Sequence, residues 1–238
     1  MNIPQKLFLS LWILLVIAVG PLQAATPEES FRKTFPDIPM DSIRPTDMPG
    51  IYEITANGRA AYYVPAKGYL IIGDIITAEK KNLTQERNME LLGRQIQTLP
   101  LKNALKIGNG PHTVIEITDP DCEFCRKASD YFAKRKDVTR YVFLYPLPSH
   151  RNAEAKIRYI FCAKDREKAY EEAMTGKLDD MKFKTCDSAA VTELIKVHKE
   201  LAEKAGVQGF GTPMFVIDGK AVRGANIPEI EKILSTKK

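Results

Sequence analysis

The chain has 238 residues, 44% of them hydrophobic and 27% charged, with 35 Lys and Arg against 30 Asp and Glu for a formal charge of +5. Length and composition suit two modest domains, and the sequence shows no repeats, low-complexity tract or phosphate loop. The positive charge is spread without long runs, so it reads as a solvated surface and not as a nucleic-acid patch.

In chain order, residues 1–25 carry Lys6, an apolar run from Leu7 to Val19, Gly20-Pro21 and small residues at Ala24-Ala25, which reads as a cleaved secretory signal. The run is short for a membrane span, and the signal takes Trp12, the single tryptophan, with it. All four cysteines lie in the remainder, and an even number fits an oxidising compartment. A short helix is expected at 27–35. Ile51-Tyr52-Glu53-Ile54, Ala60-Ala61-Tyr62-Tyr63-Val64 and Tyr69-Leu70-Ile71-Ile72 follow as short strands, divided by Asn57-Gly58 and Lys67-Gly68 turns. A helix is expected from Thr84, as N-cap, to Thr98, with Met89, Leu91, Leu92 and Ile96 as its apolar positions and Pro100 ending it.

Beyond residue 105 the pattern becomes strand (113–117), helix, strand (138–144), helices (153–162, 166–175, 189–205), two strands (214–217, 221–223) joined at Asp218-Gly219, and a closing helix (227–234). The helices from 151 to 205 read as an insertion between the halves of an α/β sheet. Between the strand at 113–117 and the next helix stand Thr118-Asp119-Pro120-Asp121 and then Cys122-Glu123-Phe124-Cys125. A CxxC after a strand and at the start of a helix is a redox context more than a zinc context. Unpaired amides and the partial positive charge of a helix N-terminus favour a thiolate there, which makes Cys122 the candidate nucleophile. Cys125, one turn further along the same side, is the candidate resolving thiol. The nearby acids Asp119, Asp121 and Glu123 are expected to oppose the thiolate and moderate its stabilisation. His112, His150 and His198 have no metal-ligand spacing and read as structural or surface histidines.

Cys122-Glu123-Phe124-Cys125, followed some 90 residues later by Gly211-Thr212-Pro213 before the strand Met214-Phe215-Val216-Ile217, resembles the thioredoxin fold with a helical insertion. The β module before residue 85 and the helix after it narrow the resemblance to the DsbC/DsbG group of periplasmic disulfide isomerases. Phe161-Cys162-Ala163-Lys164-Asp165, Lys168-Ala169 and Cys186-Asp187 are similar to the stretch around that group's second cysteine pair. The resemblance implies a signal peptide at 1–25, an α+β N-terminal dimerisation domain at 26–84, a linker helix at 85–104 and an α/β thioredoxin-like catalytic domain at 105–238. It implies a cis Thr212-Pro213 bond facing the CxxC, with Thr212 exposing its backbone to an extended substrate. Phe124 would offer either an apolar surface beside Cys122 or simple packing.

A structural disulfide between Cys162 and Cys186 is implied as well, and a loop of about 25 residues would contribute roughly 3.5 kcal/mol. Free buried cysteines, or a four-cysteine zinc site with Cys122 and Cys125, are the alternatives, the second lacking another close pair. Glu116 departs from the isomerase pattern: it stands where thioredoxins carry a buried acid, and from there it could accept the proton of Cys125, its own pKa raised by desolvation. The alternative is a surface-facing strand glutamate.

The activity expected is thiol:disulfide isomerisation or reduction on misoxidised or unfolded exported proteins in the periplasm. It would be performed by a homodimer without cofactor, metal or nucleic acid, and kept reduced by a DsbD-type membrane electron donor. A DsbA-like oxidase, a DsbG-like reductase of single oxidised cysteines, and a dimeric holdase chaperone with secondary redox activity are the other readings.

Overall fold

The computed structural model describes residues 25–236. The signal expected at 1–25 therefore lies, except for Ala25, outside the described residues. Among these, no helix is long and apolar enough to cross a membrane.

The N-terminal module opens with α1 (Pro27–Thr34), started by a reciprocal capping box between Thr26 and Glu29. Four antiparallel strands follow in spatial order: β1 (Ser42–Pro45), β2 (Tyr52–Ala56), β3 (Arg59–Val64) and β4 (Tyr69–Ile71). β1 was not legible as a strand, since its four residues include Pro45 and none is buried. Asn57 and Gly58 both adopt positive φ, 52° and 71°. This is the backbone demanded by a two-residue turn between twisted strands. The module buries few large side chains, chiefly Phe31, Met40, Ile54 and Tyr63.

Helix α2 spans Leu83–Gln97. Its cap is Asn82, whose side chain accepts from the Gln85 amide, and not Thr84 as expected. The Thr84 hydroxyl is occupied elsewhere, accepting from the Ile75 amide at 2.9 Å and sharing a 2.6 Å bond with Tyr62 Oη. At its N-terminal half α2 grips the small sheet: Arg87 pairs with the buried Glu53 at 2.8 Å, and Asn88 Oδ1 accepts from the Ala60 amide. At its C-terminal half Leu92 and Ile96 are buried against Ile115, Ile117, Phe143 and Met214 of the second sheet. Burying two such side chains contributes roughly 1.5–3 kcal/mol each. α2 is thus part of the core on which the second sheet rests.

That sheet has the order β5-β7-β6-β8-β9, from β5 (Leu105–Ile107), β6 (His112–Thr118), β7 (Val138–Leu144), β8 (Met214–Ile217) and β9 (Lys220–Arg223). Only the β6–β7 pair is parallel. The single parallel pair requires a crossover, supplied by α3 (Glu123–Ala133). The helical insertion comprises α4 (Ala153–Cys162), α5 (Arg166–Met174) and α6 (Ala189–Lys204), and α7 (Ile227–Leu234) closes the chain. Along β6, side chains alternate between two packed faces. Ile115 and Ile117 meet α2 and α6, while Val114 meets α3 and α7. The strand is central and covered on both sides, so its end at Thr118 is a rigid base for the loop that follows.

A dithiol at a helix N-terminus

The chain leaves β6 at Thr118, turns through Asp119-Pro120-Asp121 and enters α3 with Cys122 as N-cap and Cys125 in the first turn. Two features hold this turn. Asp119 is fully buried, and its carboxylate accepts from the Asp121 amide at 2.7 Å, from the Leu147 amide at 2.7 Å and bonds His150 Nδ1 at 2.9 Å. Arg126 donates through Nε to the Pro120 carbonyl at 2.7 Å and grips Asp179 with both terminal nitrogens, at 2.6 and 2.7 Å. Lys156, almost wholly buried, bridges Asp121 and Asp179. These cations hold the Asp179 carboxylate down to about 2.

Cys122 keeps a small exposed fraction and Cys125 none, and neither is in a disulfide. The Cys122 thiol points at the carbonyl of Thr212, 3.5 Å away, and the Thr212-Pro213 bond is cis. The Cys122 pKa is lowered to about 6, chiefly because the Cys125 thiol donates to it; backbone amides of Cys125 and Phe124 and the Thr212 side chain add to this, against the cost of burial. Cys125 is pushed strongly the other way, by burial first and then by the Cys122 thiolate beside it. The Asp119 amide donates toward the Cys125 sulfur at 3.4 Å. The buried hydroxyls of Thr118 and Thr212 also favour its charged form. Two sulfurs with opposite tendencies, one accessible and one enclosed, form a nucleophile and a reserve thiol.

The opposition expected from the three acids is corrected by this geometry. Asp119 is consumed by the turn, Asp121 is neutralised by Lys156 and Arg126, and Glu123 points to solvent. Stabilisation of the thiolate is governed by Cys125 and the amides instead.

Glu116 is fully buried, which removes the surface-facing alternative, but its carboxylate is not left open for Cys125. Arg140 Nη2 donates to Oε2 at 2.6 Å and Nε to the same oxygen at 3.1 Å, and Tyr170 Oη donates to Oε1 at 3.3 Å. Arg140 in turn lies over the rings of Phe132 and Tyr170. The free proton acceptor expected there is replaced by a closed ionic network.

Phe124 is 61% exposed next to Cys122. Cys162 and Cys186, the first of them 37 residues after Cys125, are joined in a disulfide, which rules out the four-cysteine zinc arrangement. The three histidines are each tied to a fixed partner: His112 to Asp218 at 2.6 Å, His150 to Asp119, and His198 to the Leu144 amide and the Asn103 carbonyl. Sequence reasoning missed Arg126, Lys156, Asp179, Arg140 and Tyr170. Only the unusual burial of a lysine and an arginine marks them, and burial is a property of the fold.

Family models match both parts of the chain: the disulfide bond isomerase protein N-terminal domain at residues 20–85 and the thioredoxin-like domain at 101–237. The chain belongs to the DsbC/DsbG family. It is 30% identical over 147 residues to a probable thiol:disulfide interchange protein DsbC of Bordetella avium, covering 60% of this chain and 52% of that protein. The chain thus spans about half the length of the Bordetella relatives it matches. The DsbC protein of Dickeya dadantii is 26% identical over 230 residues, covering 92% of this chain and 90% of its own. Among solved structures, a disulfide interchange protein from Neisseria gonorrhoeae is 33% identical, covering 57% of this chain and 96% of its own, with a TM-score of 0.47. Family membership accounts for the order found here, a small antiparallel sheet and then a thioredoxin-like α/β domain with its helical insertion.

Proposed function

We propose that the protein is a periplasmic, homodimeric thiol:disulfide isomerase and reductase. The observation that carries the reading is the Cys122 sulfur at the N-cap of α3, facing the Thr212 carbonyl, with the enclosed Cys125 thiol behind it. The Cys122 thiolate attacks one sulfur of a substrate disulfide, forming a mixed disulfide and releasing the other sulfur as thiolate. That bond change removes the negative charge beside Cys125 and with it one of the influences suppressing Cys125 ionisation. Two outcomes are then open. A substrate thiolate attacks the mixed disulfide, which rearranges the substrate and frees Cys122 with no net electron flow. Alternatively the Cys125 thiolate attacks, leaving a Cys122–Cys125 disulfide and a substrate reduced by two electrons, and an external dithiol of the DsbD type resets the pair. Thr212 and Pro213 present a backbone edge for an extended substrate, with exposed Phe124 as its apolar neighbour.

The partner in the dimer is a second copy, joined through the N-terminal module. Strand β4 is paired on one side only, and Tyr69, Ile71, Ile72 and Ile76 are exposed around it at 63, 45, 84 and 60%. An open edge with exposed apolar residues is a pairing template, and a module with so small a core gains from one. Export by the signal at 1–25 places the dimer where misoxidised proteins arise. Refolding of a scrambled multi-disulfide protein tests the reading: wild type restores native pairing and Cys122→Ser does not. Equal recovery with both proteins would point to a holdase and remove the enzymatic reading.

A further inference from the structure

The β2–β3 turn of the N-terminal module reaches the segment that carries the cis proline. Asn88 and Gln95 of α2 hold the hairpin in place: Asn88 takes the Ala60 amide, and the Gln95 side chain fills the space beside Gly58, where a Cβ would lie 2.4 Å from its Nε2. The same Gln95 side chain borders Gly206, the residue that opens the short 3-10 turn Val207–Gly209. Arg59, the first residue of β3, then extends over that turn. Its Nη2 occupies the position of the missing side chain of Gly209, where a Cβ would fall 1.3 Å away, and its Cζ lies 5.2 Å from the centre of the Phe210 ring. Arg223 of β9 approaches the same ring at 6.0 Å. Phe210 is followed by Gly211, which has a positive φ of 76° and nothing within 4 Å of its Cβ position, and then by Thr212-Pro213. A flexible glycine therefore separates an anchored ring from the backbone edge beside Cys122.

We infer that Arg59 is a positioning residue through which the N-terminal module fixes the substrate-docking edge at Thr212. Its flat guanidinium covers the Gly209 backbone and stacks on Phe210, which limits the swing that Gly211 would otherwise allow. Gly209 is required because any side chain there would displace the guanidinium. The module thereby acts on the catalytic domain directly, in addition to joining two copies. The inference rests on the proposed exchange activity, since it concerns how a peptide is held for it.

The test uses the full-length protein with Arg59→Ala, Gly209→Ala, the double variant and Arg59→Lys. Two substrates are compared: an extended peptide containing one disulfide, and the small aromatic disulfide 5,5′-dithiobis(2-nitrobenzoic acid), which has no backbone to dock. Each alanine variant should raise KM for the peptide about two- to fivefold, the size of one exposed cation–π contact, and lower the peptide to small-disulfide ratio of kcat/KM by that factor. The double variant should show no further loss, because both changes break one contact. Arg59→Lys, which keeps the charge but not the planar stack, should fall between. Unchanged peptide KM in both single variants, or losses that multiply in the double variant, would overturn the inference. If Arg59→Ala fails to fold, Gly209→Ala carries the same test alone. Wild-type protein that exchanges neither substrate would instead refute the proposed function itself.

Discussion

Removal of the Cys125 thiol is the perturbation that most directly probes how the nucleophile is made. Cys125 is the largest influence lowering Cys122, which stands at about 6, so at pH 7 about nine-tenths of Cys122 is thiolate. A hydrogen bond to a charged group is worth about 1.5–3 kcal/mol, or about one to two pKa units. Cys125→Ala should therefore raise Cys122 to about 7–8 and cut the thiolate at pH 7 to between about half and a tenth. Cys125→Ser keeps a donor at the same place and should leave Cys122 nearer 6. The variants contain a single active-site thiol, so thiolate absorbance near 240 nm and the pH dependence of iodoacetamide alkylation report Cys122 alone. A Cys122 that titrates near 6 in both variants would refute the assignment and leave the backbone amides of α3 as the main cause.

Other consequences concern the frame around the dithiol. Glu116→Gln leaves the buried Arg140 without its counter-charge and should cost about 3–5 kcal/mol in chemical denaturation; a loss under about 1 kcal/mol would mean that the network relaxes without it. Cys162→Ala with Cys186→Ala opens a loop of 24-residue separation and should lower stability by roughly 3.5 kcal/mol, while Cys122 keeps its alkylation rate; unchanged melting would contradict a stabilising role. His198 is depressed to about 4, chiefly by burial and further by the Arg166 charge, against the Asn103 carbonyl to which its ring donates. A depressed histidine binds protons more readily when unfolded, so its contribution is present above about 6.5 and lost as pH falls toward 4, up to about 3 kcal/mol. A pH series of thermal melts should show that decline, and His198→Gln should flatten it. Ile72→Lys places a charge beside the open edge of β4 and should shift the protein from dimer to monomer in sedimentation; a dimer of unchanged affinity would move the interface elsewhere.

What the sequence disclosed is what depends on short spacing. The Asn57-Gly58 and Asp218-Gly219 turns, the β-branched run before the CxxC and the two cysteines themselves are local patterns with a local physical cause, and each element lies within a few residues of its expected place. Thr212-Pro213 and the Cys162–Cys186 pair became legible through resemblance, since nothing in a lone Thr-Pro or two distant cysteines requires their geometry. The rest of the site is assembled over distance. Arg126 meets Asp179 across 53 residues, and Arg140 meets Glu116 across 24 and Tyr170 across 30. Lysine, arginine and aspartate at those positions have the composition of ordinary surface. The acids at 119 and 121 misled for the same reason: their charges are close to Cys122 along the chain, but their partners, His150 and Lys156, come from beyond β7. For α2, the amphipathic pattern was visible, but its insertion between both sheets was not, because Leu92 and Ile96 specify an apolar partner without saying which.

The central claim is that Cys122 and Cys125 work as a reduced pair that rearranges or reduces wrong disulfides. Acid quenching of cells producing the full-length protein, followed by alkylation of free thiols and separation by mass, reads the state of this pair directly. The account predicts that both thiols are modified, with Cys162 and Cys186 protected in their disulfide. A Cys122–Cys125 pair found mainly oxidised would contradict it and identify the protein as a donor of disulfides.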